Sequence, residues 1–221
     1  MNEFLEGIET GILKYEKIKE ASQVTAKAFI NSVAYERIFE GDESWRLTEL
    51  SNMFEINFNI VNNKAPESLQ GFYQSGEIVC FYMLVSSGKS STSLLEMLRF
   101  GLIWLPFRIG IAATTRLLSS LSWHEEQEKD IMNGRKEYLV LQRMIVHPDY
   151  QGRGIGKKCL SKALKIADKN LLPIYLTTQL EKNVNFYEKL SFRVVRESVF
   201  SSTNIQEYNN WFMIREPVSS S

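Results

Sequence analysis

The order of predicted elements points to an α/β (α+β) fold: a mixed, mostly antiparallel central sheet flanked by helices, with a helical insert before the fourth strand. Three observations carry this. Apolar residues recur at three and four in the early helical stretches and in short β-rich runs elsewhere. Two of those runs are joined by a tight turn at Ser75-Gly76. In the second half a strand, an amphipathic helix and another strand follow one another, a unit that implies a right-handed crossover and nearly parallel strands. With 221 residues, 44% hydrophobic and 24% charged, the chain can bury one sizeable core, which excludes disordered and fibrous classes. One domain over residues 1–221 is expected, with the helical insert at about 90–133.

In order, Glu16 to Ile18 reads as a short strand. Ala21 to Ala34 and Ser44 to Val61 read as helices, the second with Trp45, Leu47, Leu50, Met53, Phe54 and Phe58 on one side. Leu69 to Tyr73 and Ile78 to Val85 form the hairpin. The apolar stretch Leu94 to Trp123 is interrupted by Glu96, Arg99, Arg108 and Arg116, so no uncharged run approaches the roughly 20 residues of a spanning helix. It reads as two short helices broken near Pro106. Tyr138 to Val146 is a strand stopped by Pro148. Gly154 to Lys169 is a helix with Ile155, Cys159, Leu160, Ala163 and Ala167 on one face, and Pro173 to Thr178 is a strand. A helix at about Asn183 to Leu190 and strands Arg193 to Phe200 and Glu207 to Ile214 complete the order.

Lys plus Arg is 26 and Asp plus Glu is 26, so no net positive field is available for a polyanion, and a nucleic acid partner is not expected. Cys80 and Cys159 lie in apolar runs with no Cys or His at ligand spacing, so neither a disulfide framework nor a metal site is expected and a cytoplasmic setting fits. Met1 to Glu9 is acidic, without the basic start and apolar run of a signal peptide, and is expected to be a mobile end.

The most informative segment is Val146-His147-Pro148-Asp149-Tyr150-Gln151-Gly152-Arg153-Gly154-Ile155-Gly156, between an apolar strand and an amphipathic helix. Its glycines let the backbone approach a ligand and turn successive N–H groups outward at the positive end of the helix, a site suited to a pyrophosphate. Arg153, Lys157 and Lys158 add charge there. A P-loop is excluded because no Gly-x-x-x-x-Gly-Lys-Ser/Thr run occurs. A dinucleotide fingerprint is excluded because the turn lies two-thirds along the chain rather than after the first strand.

Gln151-Gly152-Arg153-Gly154-Ile155-Gly156 resembles the Gln/Arg-x-x-Gly-x-Gly/Ala signature of the GNAT superfamily of N-acetyltransferases. Asn183-Val184-Asn185-Phe186-Tyr187-Glu188-Lys189-Leu190-Ser191-Phe192 resembles its later Asn…Phe-Tyr-Glu-Lys-x-Gly-Phe segment. Within the superfamily the chain looks most like the group containing puromycin N-acetyltransferase, through Ala28-Phe29 followed by Phe39, the apolar insert and the ending Asn210-Trp211-Phe212-Met213-Ile214.

The resemblance implies that acetyl-CoA lies in an opening between the fourth and fifth strands. Its pantetheine arm would pair with the backbone of Met144 to Val146, through Ile145, and its pyrophosphate would sit on Gln151, Gly152, Arg153, Gly154, Ile155, Gly156 and Lys157. Asn183 and Phe186 would border the cofactor, and Tyr187 would donate a proton to the departing thiolate. The amine would attack the thioester directly through a tetrahedral intermediate, with no metal. Val140 and Gln142 stand where some relatives carry a base, and neither is an effective one; Gln142 could still orient a water. His124, Glu125, Glu137, His147 and a water chain stay open as alternatives. Ser191 stands where the family usually has Gly.

Tyr35, Phe39, Trp45 and Trp211, with the insert as a further wall, could line the acceptor pocket, although aromatic stripes at helical spacing are more often core. Three readings stand: a small-molecule amine N-acetyltransferase, a protein lysine or N-terminal acetyltransferase, and a non-catalytic acyl-CoA-binding protein. A homodimer is compatible with each.

Overall fold

The computed structural model describes residues 7–87, 102–202 and 205–218. Its strands are β1 (Glu9–Ile12), β2 (Leu69–Gln74), β3 (Glu77–Ser86), β4 (Leu139–Val146), β5 (Ile174–Thr178), β6 (Arg193–Ser202) and β7 (Ile205–Arg215). They form one seven-stranded sheet in the order β1-β2-β3-β4-β5-β7-β6. Every pairing is antiparallel except β4 with β5. The helices are α1 (Ile18–Phe29), α2 (Val33–Ile38), α3 (Glu43–Lys64), α4 (Leu105–Ile131), α5 (Ile155–Asn170) and α6 (Glu181–Glu188).

Alternation along the strands sends side chains to two faces. Phe81, Met83 and Ile145 join Leu50, Phe54 and Phe58 of α3 on one face. Cys80, Tyr82, Leu84 and Leu141 join Ile155, Cys159, Leu160 and Ala163 of α5 on the other. The far end of the first face is closed by α4, where Met132 meets Val140, Tyr175, Phe212 and Ile214. Asp42 caps α3 by accepting from Trp45 N at 2.9 Å, a contact worth about 1 kcal/mol. Arg215, only 5% exposed, is held by both carboxylate oxygens of Asp168 at 2.7 and 2.9 Å, and this pairing holds the Asp168 carboxyl below its ordinary range.

Several expectations need correction. The first strand is Glu9–Ile12, and Tyr15–Lys17 is a 3-10 turn. That strand is a largely exposed edge, so it carries no hydrophobic alternation to read, and its pairing with β2 makes Glu9 part of the sheet rather than of a mobile end. The helix expected over Ala21 to Ala34 ends at Phe29 and resumes at Val33 as α2. Asn31 and Ser32 between them suit a turn, while the apolar spacing continues across it. Of the insert at about 90–133, residues 90–101 lie outside the described residues. The rest is two helical pieces, as expected, but Pro106 occupies the first turn, where no N–H is needed, and the break falls at Gly110 (φ 81°, ψ 159°) instead. Ser191 is left-handed at φ 68°, which costs a non-glycine residue about 1 kcal/mol.

Candidate active site

Parallel pairing of β4 with β5 covers only Leu139 with Ile174 and Val140 with Tyr175. Beyond Val140 the two strands diverge, leaving backbone groups of both arms facing a fork. Just there β4 bulges: Met83 pairs with Arg143 and Leu84 with Leu141, so Gln142 is the extra residue. His147 N donates to Val79 O on β3. With a period of two, the backbone groups of Val146 and Met144 then face the fork, and Val146 O accepts from Gln151 Nε2 at 3.3 Å.

The fork opens beside the start of α5. Gly152 (φ 76°) and Gly154 (φ 78°) are left-handed, a conformation that tightens the turn before the helix. The first intrahelical bond runs from Lys158 N to Gly154 O, so the amides of Ile155, Gly156 and Lys157 leave the helix start unmatched within it. Gly156 has a different task. A Cβ there would lie 3.3 Å from Val146 Cγ2 and 3.7 Å from both Met144 Cε and Phe186 Cζ, so its absence lets α5 approach β4 and α6 together. Ile155 is core, and only its amide is at the cradle. The Ile145 side chain packs on the opposite face with α3, so side-chain contact with a ligand on the α5 side is ruled out for it. Lys157 is exposed, and the Arg153 guanidinium lies 5.6 Å from the Tyr150 ring centroid.

On α6, Asn183 Nδ2 donates to Thr178 Oγ1 at 3.1 Å, tying the helix to the end of β5. The Tyr187 ring packs edge-on between Phe186 at 5.2 Å and Phe192 at 5.5 Å. Burial pushes its phenol above the ordinary tyrosine range, so it stays protonated at neutral pH. The structure therefore brings Met144, Val146, Gly156, Phe186 and Tyr187 to one face of the fork.

The opposite face holds a polar set drawn from four segments. Arg143 of β4 donates to Tyr35 Oη of α2 at 3.5 Å and lies 5.3 Å from the Phe54 ring centroid. Asn210 of β7 is fully buried; its Nδ2 donates to Tyr208 O, which turns Oδ1 towards Gln179 Nε2 at 2.9 Å and His124 Nε2 at 3.1 Å. His124 Nδ1 lies 2.7 Å from Ser120 O. Both ring nitrogens thus face acceptors, which favours a charged ring, but burial outweighs them and lowers its pKa. The neutral ring carries a single N–H, so His124 donates either to Ser120 O or to Asn210 Oδ1 and not to both.

Among the other base candidates, Glu125 is exposed and paired with Lys129, Glu137 is exposed, and His147 Nδ1 accepts from Asp149 N in the turn. Of the aromatic wall, Phe39 is core, Trp45 packs against it, and Trp211 packs on the α5 side; Tyr35 alone reaches the polar set. Arg143, Asn210 and the Thr177/Gln179 pair come from segments far apart in sequence, so no local motif marks them. The Cys80 and Cys159 thiols also meet under the cradle, both buried and free, which their separation in sequence conceals. Among the described residues there is no group of three or more His, Cys, Asp or Glu side chains suited to a metal, and no helix long and apolar enough to cross a membrane.

Residues 120–194 match the acetyltransferase (GNAT) domain family. The uncharacterized N-acetyltransferase ycf52 of Gracilaria tenuistipitata var. liui is 26% identical over 159 residues, covering 64% of this chain and 85% of that protein. Among solved structures, histone acetyltransferase HPA2 and related acetyltransferase from Corynebacterium glutamicum has a TM-score of 0.65 at 15% identity, covering 97% of this chain and 99% of that one. Arylalkylamine N-acetyltransferase 2 from Aedes aegypti has 0.61 at 10%, covering 96% and 99%. The PaiA N-acetyltransferase of Thermoplasma acidophilum, in complex with coenzyme A, has 0.52 at 16%, covering 95% and 98%. At these identities the structures speak for the fold, and the finer likeness to the puromycin N-acetyltransferase group draws no support from the comparisons. With the fork, the match of residues 120–194 to that domain family and a distant relative named for N-acetyl transfer, the chain has the GNAT fold and is an acetyl-CoA-dependent acetyltransferase.

Proposed function

We propose that the chain is one acetyltransferase domain that moves the acetyl group of acetyl-CoA to the primary amine of a small molecule. The observation that carries this is the β4–β5 fork, with an amide cradle on its α5 face and an enclosed polar set on the other. Met144 and Val146 would pair with the pantetheine arm, and Gln151, Gly152, Arg153, Gly154, Ile155, Gly156 and Lys157 would hold the pyrophosphate, mainly through backbone N–H groups. Asn183 and Phe186 would border the arm.

The chemistry needs no covalent enzyme intermediate. The amine nitrogen bonds to the thioester carbon, the tetrahedral oxyanion collapses, the C–S bond breaks and the nitrogen sheds its proton. The sulfur takes up a proton, so the sum is amine plus acetyl-CoA giving amide plus CoA thiol. Tyr187 would offer its O–H to that sulfur. Its raised pKa makes complete transfer costly before the thiolate forms, so the phenol acts first as a hydrogen-bond donor to the developing charge. For the base, water at the Gln142 bulge is the route we favour.

A small acceptor is favoured over a peptide by α4, which is tied to the closing hairpin through Ser120 to Tyr208, His124 to Asn210 and Arg196 to Gln127. An extended peptide would need that face open. Fold alone does not choose, since the structural neighbours include proteins named for a histone and for arylalkylamines. The buried free thiols suit a reducing, cytoplasmic setting. The test is acetyl-CoA-dependent thiol release against amino-nucleosides, aminoglycosides, polyamines, amino acids and peptides with a free lysine or N-terminus. Turnover of one small-amine class is the expected result; turnover of peptides only would move the assignment to a protein acetyltransferase.

A further inference from the structure

Among the described residues, Arg143 at the fork has no anionic partner. Arg196 meets Asp130, Arg215 meets Asp168, Arg135 meets Glu216 and Arg116 meets Glu40. Arg143 is half-buried, and its two recorded partners are neutral: the Gln142 carbonyl at 2.6 Å and the Tyr35 hydroxyl at 3.5 Å, the second at the limit of a hydrogen bond. Its Nε is buried with no partner at all, and the Phe54 ring screens one flat side of the guanidinium. Arg46 also has a buried, unpartnered Nε, but it donates to Phe39 O just past the end of α2, where a cation is favourable. Nothing comparable explains Arg143. A half-buried guanidinium whose Nε is shielded and without a hydrogen bond is a destabilising feature that an anion would relieve.

The anion would not come from the CoA pyrophosphate. Met144 and Gly156 lie on the α5 face of the fork, and Arg143 is on the opposite face, towards α2 and α3. The transferred acetyl group carries no charge. What remains is the acceptor. Across the fork, on β5, Thr177 Oγ1 is likewise buried without a partner; its alternation with Tyr175 puts it on the Arg143 face. One arm thus offers a planar guanidinium with an unsatisfied Nε–H, which suits a carboxylate, and the other an unsatisfied oxygen, which suits an amine N–H.

Resting on the acetyltransferase reading, we propose that the acceptor is an amine that itself bears a carboxylate, an amino acid or a molecule built like one, and that Arg143 binds that carboxylate. The test compares amino acids with their uncharged carboxamides, isosteric but without the anion, measuring kcat and KM for wild type, Arg143→Gln and Arg143→Lys. Wild type should favour the acid by roughly 10- to 100-fold in kcat/KM, the range of a hydrogen bond to a charged group, with the difference carried by KM. R143Q should erase that preference at unchanged CoA affinity, and R143K should keep part of it. The lysine variant, with thermal unfolding of both, also covers a failure of R143Q to fold.

Equal use of acid and amide by wild type overturns the proposal. So does an R143Q variant slowed alike on every acceptor with the preference intact, which would place Arg143 at the thioester. Acetylation confined to amines without an anion removes this proposal and leaves the acetyltransferase reading standing. Failure to acetylate any amine removes both.

Discussion

The two faces of the β4–β5 fork are built from different material. On the α5 face the working groups are largely backbone: outward amides at the helix start, two left-handed glycines, and a third glycine whose missing Cβ lets α5, β4 and α6 converge. On the opposite face they are side chains, with Arg143, Thr177, Gln179, Asn210 and His124 contributed by β4, by the end of β5, by β7 and by α4. A backbone site constrains which residues may stand at consecutive positions, so it leaves a readable motif. A side-chain site constrains only what meets in space, and residues 86 apart in sequence, such as His124 and Asn210, can share one hydrogen bond. The first face suits a ligand part common to many enzymes, and the second is free to differ with the acceptor.

If that division is right, perturbations of the two faces separate cleanly. The largest effect is expected from Tyr187→Phe, which removes the O–H and keeps the ring packing against Phe186 and Phe192. Turnover should fall by about 100-fold or more while acetyl-CoA affinity by calorimetry is unchanged. Equal turnover would take Tyr187 out of the proton-donor role. Next, Gly154→Asp places a side chain at φ 78° and a negative charge where the pyrophosphate is proposed to sit. Affinity should drop by about tenfold or more in a folded protein, and the left-handed backbone should separately lower stability by about 1 kcal/mol. Unchanged affinity would show that the cradle is not the cofactor site.

The smallest effect concerns the other face and acid stability. Burial lowers the His124 pKa below that of the unfolded chain, about 6.5, so the unfolded state takes up the proton first as pH falls. The stabilisation tied to the neutral ring is complete above that value and is lost as pH falls towards the folded-state pKa. Melting temperature should therefore decline more between pH 7 and 5 in the wild type than in His124→Gln, by the equivalent of about 1 kcal/mol or less. CoA affinity should be alike in both. A pH response of equal size in the variant would mean that His124 is not the group responsible.

Elements with strong periodicity were legible. The α3 stripe Leu50, Phe54 and Phe58, the β2–β3 hairpin at Ser75-Gly76 and the amphipathic α5 lie where their patterns put them. Weakly patterned elements were not. β1 is an exposed edge known only through its pairing with β2, and the turn between α1 and α2 is hidden by apolar spacing that runs straight across it. Pro106 reads equally as a helix stop or a helix start, and the geometry of the first turn decides between them.

By itself the sequence determined the strand-helix-strand unit, the glycine cradle and the tyrosine on the following helix, because each depends on residues close together in the chain. The tertiary structure alone decided that β4 and β5 part after Val140, that Gln142 bulges beside the parting, and that Arg143 and the buried Asn210 share one face of the sheet. Those features follow from strand register and from which distant segments pack on one face, and neither is encoded in any local run of residues.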